Sequence, residues 1–196
     1  MANWRGMLTV SAAALVLSAS AVSAQAADLV INGGFETGDF TGWTLVGSSD
    51  NSSVNNALVE TGDFAGQFGE VGTLGGIAQD LATVAGQTYT FSFDLQNYGG
   101  NPTRAVITFG GQTLVNLTNP AAFAYTHYSF DVTAASALTT IGFQFRNDPT
   151  YFHLDNVSVV GGQGSAVPEP ATWAMLMLGM FGVGTTMRLR RRPAAA

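Results

Sequence analysis

Thr88-Tyr89-Thr90-Phe91-Ser92-Phe93-Asp94-Leu95-Gln96 decides the fold. Along an extended chain Tyr89, Phe91, Phe93 and Leu95 fall on one side, and Thr90, Ser92 and Asp94 on the other. A period of two with one apolar and one polar face is what an antiparallel sheet buried on a single side requires. Thr126–Val132 repeats the pattern, with Tyr128, Phe130 and Val132 against His127, Ser129 and Asp131, and Thr139–Asn147 repeats it with Ile141, Phe143 and Phe145. Working outward, Trp43–Val46, Gln67–Val71, Ile77–Thr83, Ala105–Phe109, Thr113–Leu117 and Tyr151–Val160 read as further strands, punctuated by Gly-Gly at 33–34, 75–76, 99–100 and 110–111. About nine short strands with turns at this spacing, and no competing helical pattern, predict an all-β fold. The expectation is a single antiparallel β-sandwich (jelly roll) over residues 27–162.

The composition bounds what such a body does. The chain has 196 residues, 46% of them hydrophobic, 10% charged and none of them cysteine. That apolar content excludes intrinsic disorder, and the missing thiols exclude a disulfide framework, a thiolate zinc site and a cysteine nucleophile. Four of the seven arginines (Arg188, Arg190, Arg191 and Arg192) lie in the last nine residues, and Arg5 lies near the start. Between Asp28 and Ser165 only Arg104 and Arg146 oppose 12 of the 13 acids, a balance of ten net negative charges. A body so charged repels phosphate backbones, which sets nucleic acid aside as a partner.

The two ends read as addresses. Met1–Arg5 is short and positive, Met7–Ala19 is an apolar run, and small residues follow to Ala26. Residues 1–26 therefore have the form of a secretory signal, engaged by the general secretion machinery and removed by signal peptidase after Ala24 or Ala26. Residues 163–167 read as a linker, and residues 168–192 hold three parts in order: Pro168-Glu169-Pro170, an uncharged apolar run Ala171–Met187, and the arginine tail. Seventeen helical residues reach roughly 25 Å, enough for a transmembrane helix if the arginines snorkel, and those arginines set that end in the cytoplasm. Pro168-Glu169-Pro170-Ala171-Thr172-Trp173, the apolar run and the Arg-rich end resemble the PEP-CTERM sorting signal of Gram-negative, exopolysaccharide-producing bacteria. The resemblance implies recognition by an exosortase, a membrane cysteine transpeptidase-like enzyme, with processing near Pro168-Glu169-Pro170 and delivery to the cell surface or extracellular matrix.

The closing strand carries an irregularity. Phe152 and Leu154 share one parity, and Val157 and Val159 the other. One extra residue near Asp155-Asn156 restores the phase, so a β-bulge is expected there, and a bulge re-aims side chains. Asn32-Gly33-Gly34-Phe35-Glu36, Trp43, Thr88-Tyr89-Thr90-Phe91 and Phe152-His153-Leu154-Asp155-Asn156-Val157-Ser158-Val159 are together similar to carbohydrate-binding-module-like jelly rolls of the galactose-binding type. The resemblance implies that the opening and closing segments lie side by side and hold a structural calcium ion. It nominates the carboxylates of Glu36 and Asp155 and a carbonyl near Gly34; the further ligand it implies from the middle of the chain has no clear equivalent here, and Asp63 is the residue chosen for that place. Six to eight hard oxygens suit calcium, and two carboxylates with carbonyls and water supply that chemistry. The plainer alternative is that both acids only cap turns.

A sugar site on a sandwich needs flat aromatic faces for C–H groups and amides or charges for hydroxyls. Tyr98, Tyr125 and Tyr151 lie outside the alternating core and are the candidate platforms, with Asn97, Asn101, Arg104 and Asn147 as polar partners. The alternative is that the tyrosines merely cover sheet edges. Trp43 reads as core, and His127 and His153 both occupy outward strand positions. G-x-S-x-G, H-E-x-x-H and phosphate-loop motifs are all missing. The expectation is an exported, non-catalytic protein that binds extracellular polysaccharide, as in a biofilm matrix. A structural or adhesive matrix protein without a glycan site is the alternative, and a small glycan hydrolase a more distant one.

Overall fold

The computed structural model describes residues 26–161. Ten strands follow one another: β1 (Thr44–Gly47), β2 (Ser52–Asn55), β3 (Ala65–Phe68), β4 (Gly75–Ala82), β5 (Thr88–Asn97), β6 (Thr103–Phe109), β7 (Gln112–Thr118), β8 (Phe123–Thr133), β9 (Leu138–Asn147) and β10 (Phe152–Gly161). They form two five-stranded sheets, ordered β1-β4-β9-β6-β7 and β2-β3-β10-β5-β8, with every neighbouring pair antiparallel. This is the β-sandwich that the period of two requires. β2, an edge strand, was not among the expected strands; Ser52-Ser53-Val54-Asn55 holds a single apolar residue and so shows no alternation.

Aromatic rings fill the space between the sheets. Phe91 and Phe93 on β5 meet Phe143 on β9 at 5.8 and 5.2 Å, both edge to face, and Phe68 on β3 meets Phe145 at 4.8 Å. Such rings anchor the domain, since truncating a buried phenylalanine costs about 3–5 kcal/mol. Trp43 joins the same core, stacked on Phe35 at 5.9 Å, while its indole N–H donates to the Asn32 carbonyl. At one end, Asn147 on β9 donates from Nδ2 to Asn97 Oδ1 on β5 (3.1 Å), and Asn97 donates to the carbonyls of Pro120 and Ala121. Both asparagines are fully buried, so they clasp the two sheets. Their nomination as sugar-facing groups is corrected by this burial: each is the last residue of its strand and keeps the strand's inward parity.

β10 closes the fold. Asp155 pairs with Asp94 and Ser158 with Ser92, so β10 advances three residues where β5 advances two, and Asn156 takes a left-handed φ of 51°. The extra residue lies where the phase of the apolar positions demands it. The opening segment runs beside this bulge: Leu29 N–H donates to the Val159 carbonyl and Val157 N–H to the Gly33 carbonyl (3.0 Å). A Cβ on Gly33 would stand 1.9 Å from the Val157 oxygen, so only glycine allows the approach.

Candidate functional site

Sheet alternation sends Ser53, Gln67, His153, Asp155, Gln96, Asp94, Tyr125 and His127 to the outer face of the β2-β3-β10-β5-β8 sheet. Residues 56–64, between β2 and β3, then cross over that face. Tyr125 donates its hydroxyl to the Leu58 carbonyl (3.1 Å). Asp155 Oδ2 accepts the N–H groups of Glu60 and Thr61 (3.1 Å each), and Oδ1 accepts that of Asn156 (2.7 Å). Asn156 in turn accepts from the Thr61 hydroxyl and donates to Asp94 Oδ2, whose other oxygen meets His127 Nδ1 at 2.8 Å.

The loop roofs only part of the face. Beside it a groove of about 290 Å³ stays open, lined by Leu58, Gln67, Tyr98, Pro149, Tyr151 and His153. Tyr98 and Tyr151 keep 46% and 40% of their surface exposed and flank the groove. Their placement is firm: Tyr98 N–H donates to the Tyr151 carbonyl, and the Tyr151 ring rests on Gly69, where a Cβ would come within 2.5 Å of it. His153 lies beneath both rings, with centroid separations of 5.6 Å to Tyr98 and 6.5 Å to Tyr151. It is 2% exposed, and neither ring nitrogen has a hydrogen-bond partner. Burial lowers its pKa to about 4, so the imidazole is neutral at ordinary pH. Apart from this imidazole, no acidic or basic side chain is among the groove's lining residues.

A second constellation sits under the roofing loop. Glu36 accepts the N–H groups of Asp63 (3.0 Å) and Phe64 (3.3 Å), and Asp155 lies across Gly34 from it. A Cβ at Gly34 would stand 3.8 Å from Asp155 Oδ1 and 4.0 Å from Glu36 Oε1. Burial pushes the Asp155 carboxyl up and the Glu36 charge adds to this, while the three backbone N–H groups oppose it. Among the described residues no three acid or histidine side chains converge. Asp63 therefore meets Glu36 through its backbone N–H rather than joining a third carboxylate, which corrects its nomination as a ligand.

The remaining nominees separate. Arg104 alternates outward on β6, in the other sheet, where its Nε–H approaches Asn116 Oδ1 (3.4 Å); it does not share a face with Tyr98 or Tyr151. Tyr125 is a strut for the loop, and burial raises its pKa, so it is no free platform. Asn101 is exposed, outside the groove lining. His153 was expected to face solvent and is buried instead, because Tyr98, Tyr151 and Leu58 cover its side of the sheet. Pro168, Glu169, Pro170, Arg188, Arg190, Arg191 and Arg192, like residues 1–25, lie outside the described residues. Sequence reading also passed over Glu70, fully buried, whose carboxylate accepts the Ser52 hydroxyl at 2.5 Å.

Comparison with known proteins gives two findings. The PEP-CTERM protein-sorting motif matches residues 166–192. Among solved structures, TmCBM61 in complex with β-1,4-galactotriose superposes with a TM-score of 0.57 at 16% identity, over 69% of this chain and 99% of that one. The CBM22-1 xylan-binding domain of Paenibacillus barcinonensis Xyn10C gives 0.52 at 16%, over 73% and 100%. The enzymatically active domain of bacteriophage CBA120 tailspike protein 4 gives 0.54 at 17%, over 69% of this chain and 21% of the phage chain. The chain thus has the jelly-roll sandwich of carbohydrate-binding modules. No curated protein matches it.

Proposed function

We propose that this is an exported cell-surface protein whose sandwich binds polysaccharide without catalysis, and that the groove between Tyr98 and Tyr151 is its sugar site. The groove carries the reading: two exposed aromatic faces stand over a recess whose lining offers the Gln67 amide and an imidazole but no acid pair for hydrolysis. Domains of the same fold supply the analogy, one in complex with β-1,4-galactotriose and one described as xylan-binding. In this reading residues 1–26 direct secretion, 27–162 bind, 163–167 link and 168–192 are handled by an exosortase in a Gram-negative exopolysaccharide producer, after transient anchoring in the inner membrane. The bound material is then polysaccharide of the extracellular or biofilm matrix.

A structural calcium ion belongs to the same proposal. Glu36 and Asp155 flank Gly34 with no cationic side chain bonded to either, and Asp155 Oδ1 and Glu36 Oε2, each accepting a single N–H, keep a lone pair. The donor chemistry therefore fits a hard divalent ion held by these two carboxylates and backbone carbonyls near Gly34. Such an ion would fasten the opening segment and the roofing loop to β10; no chemistry of the bound sugar passes through it.

Binding to an array of acidic and neutral polysaccharides tests the glycan site. Tyr98→Ala and Tyr151→Ala should each weaken retention at least about tenfold, as expected for losing a stacked aromatic face. Flat responses of the wild-type protein across the array would leave a structural or adhesive role instead. For sorting, mass spectrometry of the mature protein should show the arginine tail removed; an intact C-terminus in the secreted fraction would contradict processing.

A further inference from the structure

The geometry points to His153, together with Gln96 beside it, as the pair that makes the groove select an uncharged, hydroxyl-bearing sugar over an anionic one. This rests on the groove being the sugar site and goes further, naming the residues that read the ligand and the ligand class they accept. His153 and Gln96 are direct partners across β10 and β5, on the outer face. Both imidazole nitrogens and Gln96 Oε1 are buried with no hydrogen-bond partner. Buried polar atoms are almost always satisfied, so three neighbouring orphans, two of them on the imidazole that lines the groove, identify groups kept for something that is not part of the chain.

Their chemistry then specifies the partner. A neutral imidazole offers one N–H donor and one acceptor, and Gln96 Oε1 is a second acceptor. Two acceptors and one donor are matched by hydroxyls, which both give and take hydrogen bonds. A carboxylate, sulfate or phosphate only accepts, and would leave both acceptors orphaned while placing its charge in a recess lined by no cation. No carboxylate reaches either ring nitrogen and the ring is buried, so nothing there stabilises a charged imidazolium. The titratable groups facing it are the Tyr98 and Tyr151 phenols; Gln67 on β3 and Gln96 on β5 are uncharged, and the nearest acids on the same face are Asp155 and Asp94, one outward position further along β10 and β5. Access lies on the side of the tyrosines, whose rings over the imidazole are the solvent-exposed part of the groove.

Affinity electrophoresis of the full chain, in a detergent without a sugar headgroup, tests the assignment in gels cast with soluble xylan, β-1,4-galactan or alginate. The wild-type protein should be retarded by a neutral polymer and pass freely through alginate. His153→Phe keeps a flat apolar ring in the pocket and should lower that retardation at least about tenfold, with the melting temperature preserved. His153→Gln, which restores a donor and an acceptor, should recover part of it. Retardation by alginate equal to that by xylan or galactan would overturn the selection. Should His153→Phe bind within twofold of the wild type while Tyr98→Ala does not, the sugar site stands and the role given to His153 falls. If the wild-type protein binds none of the three polymers and none on the array, the glycan reading and this inference fall together.

Discussion

The two outer faces of the sandwich arise from the same alternation and end in different states. On the β1-β4-β9-β6-β7 sheet the outward side chains interact locally: Thr140 donates to Asp80, and Arg146 pairs with Asp148 at 2.8 Å. Arg104 and Arg146 even sit directly opposite one another on β6 and β9, a like-charge arrangement tolerated because Arg146 has its own carboxylate and Arg104 reaches water. On the β2-β3-β10-β5-β8 sheet the outward positions of β10 are buried, His153 under tyrosines and Asp155 under residues 56–64. Alternation assigns a side chain to one side of a sheet. What covers that side is decided by chain arriving from elsewhere.

The contrast is broken most directly by deleting one carboxylate from each face. Asp155→Ala strips the acceptor from the N–H groups of Glu60, Thr61 and Asn156 and should cost about 3 kcal/mol in urea unfolding. Asp80→Ala, at the surface of the other sheet, should stay within about 0.5 kcal/mol. Equal costs would mean that the loop does not depend on the carboxylate. Chelation reads the same corner: EDTA should lower the melting temperature of the wild-type protein but not of Glu36→Ala, and indifference to EDTA would remove the ion from the proposal.

Acid gives the next effect. His153 titrates at about 4 when folded and near 6.5 when unfolded, so between these values the unfolded chain binds the extra proton. Its contribution to stability is complete above pH 6.5 and declines as the pH falls toward 4. From pH 7 to pH 5 this amounts to about 2 kcal/mol, and His153→Phe should remove that slope from the stability curve. An unchanged slope would show that the imidazole is more solvated than its 2% exposure implies.

These contrasts also mark what the sequence discloses. Strands are found at the nine expected places, although the one expected over Gln67–Val71 runs over Ala65–Phe68, and the bulge at Asp155-Asn156 is legible because a single extra residue flips parity. Outward placement of His153 was equally legible; its burial was not, since Leu58 and Tyr98 lie 95 and 55 positions away in the chain. Asn97 and Asn147 were nominated as polar partners for a sugar, yet strand parity sets both inward, where Asn147 donates to Asn97. Arg104 sits six residues after Tyr98, and a change of sheet between β5 and β6 turns it to the opposite flank. Nearness along a chain says little about sharing a surface when the connection switches layers.

Finally, Asp28 bridges to Val160, so the chain comes in beside the strand by which it goes out. Tyr151 and His153 stand at the start of β10 and Gly161 at its far end, a run of ten residues or roughly 30 Å. Anything that moors the protein through the sequence beyond Gly161 thus grips the sandwich at one end of β10, leaving the tyrosine-flanked groove near the other end, a full strand's length from the mooring.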